Sequence, residues 1–114
     1  MLTTSIILFS LAILGGLTMA ALYFTGRKIP LPLGFGHGLL ALGGLVVLFV
    51  VIFEQARYGM LAVSAGVFCV AAIGGLILIS HALRGRQLPV GLLFLHACVA
   101  VLGYLLLSVA LTPP

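Results

Sequence analysis

Residues 26–53, "GRKIPLPLGFGHGLLALGGLVVLFVVIF", and residues 85–112, "GRQLPVGLLFLHACVAVLGYLLLSVALT", decide the fold between them. Each begins Gly-Arg, reaches a proline three residues later, and then stays apolar for about 20 residues, the length that crosses a hydrocarbon core. Each carries one histidine, His37 or His96, followed by Ala four positions on and Gly seven positions on. Two further apolar runs precede them, so spans are expected at about 2–24, 33–53, 60–83 and 90–111. Runs of this length satisfy their backbone as helices. Barrel strands would be about half as long and would alternate in polarity.

Composition agrees. Of 114 residues, 64% are hydrophobic and 5% charged, more apolar surface than a soluble domain of this size can hide. The expected class is an all-α integral membrane protein, with residues 1–114 forming a single transmembrane domain and no soluble domain. The start, "MLTTSIILFS", lacks a basic leader and opens a run long enough to span, so a cleaved signal peptide is not expected.

Shifted by 59, the sequence matches itself. Without a gap, 18 of 55 positions are identical, among them Ser5/Ser64, Phe9/Phe68, Gly15-Gly16/Gly74-Gly75, Gly26-Arg27/Gly85-Arg86, Pro30/Pro89 and His37/His96. Apolar composition alone would align leucines; it would not align Gly-Arg-x-x-Pro and a histidine together. The chain reads as two tandem helical hairpins, repeat 1 over 1–55 and repeat 2 over 60–114. Two spans per repeat make the copies parallel, related by a pseudo-two-fold axis along the membrane normal.

The formal charge of +4 reads as topology rather than as a nucleic-acid footprint. Arg27 and Lys28 sit in the link 25–32, Arg84 and Arg86 in the link 84–89, while Arg57 in the middle link is offset by Glu54. Lys and Arg collect in cytoplasmic loops, so these two links are expected inside and both termini outside, in a multi-pass protein of a bacterial-type inner membrane. Cys69 and Cys98 fall inside spans as small apolar residues, and no C-x-x-C-H sequence is present to attach haem covalently.

Residues at i, i+4 and i+7 share a helix face. His37, Ala41 and Gly44 therefore form one stripe, and His96, Ala100 and Gly103 its mate. The pseudo-two-fold places both imidazoles at one depth. A haem b iron on that axis takes a histidine on each side of a flat macrocycle. Ala and Gly beneath each ligand would clear room for the ring edges, and Arg27 and Arg86 would pair with the propionates. Counted from the links, Gly15-Gly16 lie level with Ala41 to Gly44 and serve either helix packing or a flat ligand. Proton or ligand handling is the other chemistry open to the pair, and a duplicated chain can also carry a histidine twice by descent. His81, whose repeat mate is Leu22, sits three residues before Arg84, as an interfacial residue or a substitute ligand. Glu54 is the only acid, which excludes paired-carboxylate catalysis and acidic metal cages, and no phosphate loop, zinc pattern or catalytic triad is present.

Four short spans with His37, His96 and His81 resemble the small four-helix membrane cytochromes b of the cytochrome b561 kind. The resemblance implies b-type haem held between helices and one-electron transfer. It departs from that family's pattern of two histidine pairs, because three histidines cannot supply two bis-histidine haems. The expected function is a haem protein with one bis-histidine haem b between helices 2 and 4, in electron transfer or haem handling. It would be an electron carrier or subunit rather than a stand-alone enzyme, working in the bilayer with a redox partner, a larger membrane complex or a second copy. The alternative is a small transporter or a cofactor-free packing subunit of a larger complex.

Overall fold

A computed structural model describes residues 1–111 and contains four α-helices: α1 (Leu2–Phe24), α2 (Leu31–Gln55), α3 (Met60–Leu83) and α4 (Val90–Ala110). All four are long and apolar enough to cross a membrane. The bundle is 45 Å in its longest dimension, close to a bilayer with its headgroups. Side chains such as Leu39, Phe53 and Leu17, each more than 60% exposed, cover its outside. In water this would be an aggregation surface; in lipid it is the solvated face. The chain is a multi-pass membrane protein.

The Gly-Arg-x-x-Pro signature explains both basic links. After α1, Gly26 takes φ +77°, a left-handed conformation that suits glycine, and its amide donates to the Tyr23 carbonyl while the Arg27 amide donates to the Leu22 carbonyl at 2.9 Å. After α3 the same pair of bonds recurs: Gly85 (φ +66°) donates to Ala82 and Arg86 to His81, again at 2.9 Å. The glycine stops one helix while satisfying its last carbonyls. Pro30 and Pro89, in extended conformation, then cap the next helix, where a missing amide costs nothing. α2 therefore begins at Leu31, two residues before the expected span. The middle link is tighter, with Ala56 in the left-handed region (φ 51°) and the Arg57 amide on the Ile52 carbonyl.

Within each hairpin the helices pack side by side. Around the bundle α2 neighbours α3 and α1 neighbours α4, leaving α1/α3 and α2/α4 as diagonals. The two ends are packed differently. The core cluster of Phe9, Leu48, Val51, Ile52, Leu61, Ala65, Phe68 and Leu107 lies wholly in the half that carries the termini and the middle link. At its centre Phe9 and Phe68 stack across the α1/α3 diagonal, centroids 3.8 Å apart and planes within 4°. Ser5 and Ser64, both fully buried, donate to the carbonyls of Gly44 and Gly103 at 2.9 Å. In the half nearer the basic links, Leu78 is the one buried residue among those described.

Candidate functional site

His37 lies six residues into α2 and His96 six residues into α4. At 1.5 Å per residue that is about 9 Å from the helix start. The two imidazoles meet across the α2/α4 diagonal, ring centroids 6.3 Å apart and planes crossed at 82°. Both are half-buried.

Each imidazole is held by the other helix of its own hairpin. His37 Nδ1 lies 2.6 Å from the Ala12 carbonyl oxygen, and His96 Nδ1 lies 2.8 Å from that of Ala71. A carbonyl oxygen only accepts, so Nδ1 carries the proton in both rings and each Nε2 keeps its lone pair. Reaching a carbonyl that already closes a helical turn requires an unshielded backbone. The residue one turn beyond Ala12 is Gly16, and the one beyond Ala71 is Gly75. A Cβ on either would stand 3.1 Å from the Cε1 of His37 or His96. A Cβ on Gly15 or Gly74 would touch the same histidines at 3.6 and 3.5 Å. The glycine doublets are seats for the imidazoles.

This corrects the depth expected for the doublets. They lie against the histidines and not level with Ala41 to Gly44, because each imidazole reaches back to the Ala12 or Ala71 carbonyl of the neighbouring helix, and this holds in both hairpins although only α2 starts earlier than its apolar run. Gly44 and Gly103, expected to clear room for a macrocycle, are covered instead by the rings of Phe9 and Phe68, which would meet an added Cβ at 3.2 and 3.0 Å. Ala41 and Ala100 are half-buried, one turn below the histidines. A flat group between the imidazoles would thus have the Phe9–Phe68 stack as its floor and small residues of α1 and α3 at its edges.

The remaining expected residues are not drawn into this site. Arg27 and Arg86 are exposed beyond the helix ends, and Arg27 lines a groove on the exposed face of α1. His81 turns its Nδ1 onto the Ile77 carbonyl of its own helix at 2.9 Å. Among the described residues no group of three or more His, Cys, Asp or Glu side chains is placed to hold a metal ion, and the two imidazoles face each other as a pair. One feature was not anticipated. Ser10 and Tyr104 share a hydrogen bond of 2.7 Å across α1 and α4. The residues 59 positions away, Cys69 and Leu45, cannot make it, so one seam of the bundle has a polar clasp that the other lacks. Nothing in the sequence pairs Tyr104 with Ser10, 94 residues away.

Comparison with protein-family models, with characterised proteins and with solved structures finds no match to this chain.

Proposed function

We propose that this protein holds one haem b between α2 and α4, with His37 and His96 as its two axial ligands, and serves in one-electron transfer or haem handling. The observation that carries the reading is the paired geometry of the imidazoles. Both rings are fixed by Nδ1–H bonds to backbone carbonyls, the outer-sphere arrangement that orients a ligating histidine and leaves Nε2 for the metal. An iron bound at roughly 2 Å by two Nε2 atoms separates the ring centroids by about 6 Å. The observed separation is 6.3 Å.

The donor set and its spacing support that group, and the Phe9–Phe68 stack would bound it on the side of the termini. Bound there, haem supplies a one-electron couple. The chain supplies the rest. Ala12 and Ala71 hold the Nδ1 protons, Gly16 and Gly75 let the rings reach those carbonyls, and the surrounding apolar side chains exclude water. At about 9 Å from one end of the bundle, such a site reaches only one leaflet, so electron flow needs a redox partner or a larger membrane complex. The basic links support a cytoplasmic position for that end in an inner membrane. The contacts recurring 59 residues apart support two parallel hairpin repeats as the frame of the site.

The test is the absorption spectrum of protein purified in mild detergent, oxidised and reduced. A Soret band with sharp reduced α and β bands is expected, absent in both His37→Ala and His96→Ala. A colourless, folded preparation that takes up no added haem would remove the proposal and leave a transporter or a cofactor-free packing subunit. Loss of the bands only in His81→Ala would move the ligand and keep the class.

A further inference from the structure

The exposed face of α1 near the basic link holds a groove of about 270 Å³ lined by Thr18, Ala21, Leu22, Thr25 and Arg27. Its polar groups are already spent. Thr18 donates its hydroxyl to the Leu14 carbonyl at 2.8 Å and Thr25 to the Ala21 carbonyl at 2.7 Å. The groove therefore presents methyl and methylene groups, with one cation, Arg27, at its mouth just beyond the helix end. Nothing acidic in the sequence can reach that guanidinium, because the only acid, Glu54, lies near the end of α2 at the opposite end of the bundle. In a membrane-spanning bundle, position 27, just beyond the end of α1, would lie near lipid phosphates, and residues 18–25 would run below it along about 10 Å of helix beside an acyl chain.

The second hairpin provides the internal control. At the positions 59 residues on, Thr18 becomes Ile77, Ala21 becomes Ser80, Leu22 becomes His81 and Thr25 becomes Arg84. A branched side chain and an imidazole folded back onto the Ile77 carbonyl occupy the equivalent face. Arg86 thus keeps the charge of Arg27 beside a face built from different side chains.

We propose that this groove seats one anionic phospholipid, its phosphate on Arg27 and an acyl chain along Thr18 to Thr25, and that the chain has one such site rather than two. The proposal is independent of haem. The test is native mass spectrometry of the full-length protein released from detergent, titrated with phosphatidylglycerol or with phosphatidylcholine. One phosphatidylglycerol per chain should be retained in preference to phosphatidylcholine. Arg27→Gln should weaken it about tenfold, as loss of one charged hydrogen bond does, and Ala21→Leu, which fills the groove, should weaken both lipids. Arg86→Gln should leave retention unchanged. Millimolar inorganic phosphate should not displace the lipid, since the groove contributes through the chain; displacement would reduce the site to an anion contact and overturn the proposal. Equal losses in Arg27→Gln and Arg86→Gln would overturn it as well, as would no preference between the two lipids.

Discussion

The half of the bundle that carries the termini and the half that carries the basic links are built from the same four helices, yet they are held together by different means. In the first, aromatic and aliphatic side chains from both hairpins interdigitate, and two buried serines fasten each hairpin to itself. In the second, the hairpins meet through two imidazoles seated on glycines and one tilted Phe24–Phe94 ring contact. The hydrophobic effect gives little help to either half, since lipid is as apolar as leucine, so close packing and interhelical hydrogen bonds carry the stability. The first half has both in quantity. The second spends its close packing on positioning two ring nitrogens, and the proposed function rests on that half.

Substitutions break this comparison in a graded way. The largest loss of stability is expected from Phe68→Ala, which empties the centre of the packed half. About 2 kcal/mol should be lost in a reversible unfolding assay in mixed micelles, less than the 3–5 typical of such changes in water, because the cavity cost remains while the transfer term does not. Gly103→Ala comes next. Its methyl would stand 3.0 Å from the Phe68 ring, and about 1–2 kcal/mol of overpacking is expected by the same assay. Ser64→Ala removes one buried hydrogen bond to the Gly103 carbonyl and should cost about 0.6 kcal/mol. The smallest stability effect belongs to Gly75→Ala, in the loosely packed half, where the imidazole has room to shift. That variant should instead lose most haem uptake, because a methyl 3.1 Å from His96 Cε1 displaces the ring from the Ala71 carbonyl. A Gly75→Ala protein that is destabilised as much as Phe68→Ala would erase the distinction between the two halves.

Much of this frame was legible in the sequence, and the reason is local. Span length, the Gly-Arg-x-x-Pro links and the equal depth of His37 and His96 depend on neighbours along one helix or on a turn between two. What was hidden depends on how helices rotate against each other. Every face of these helices is apolar, so nothing in the stripe His37, Ala41, Gly44 announced that Phe9 would cover its glycine. Phe9 and Phe68 stood out only as repeat-related identities. Gly15-Gly16 were legible as a close approach, but the group that approaches was not, because it depends on which face each helix turns to its neighbour. The Ser10–Tyr104 clasp joins residues 94 apart and leaves no periodic trace.

The central claim is that His37 and His96 bind one iron from opposite sides, and electron paramagnetic resonance of the oxidised, haem-loaded protein tests it most directly. The two imidazole planes are crossed at 82°; an iron held by both would have its two π-type d orbitals nearly degenerate and, as a low-spin centre, a strongly anisotropic g-tensor. The account predicts one such low-spin signal per chain, converted to a high-spin signal in His37→Ala and in His96→Ala alike. A high-spin signal in the unaltered protein, or a low-spin signal that survives either substitution, would contradict it.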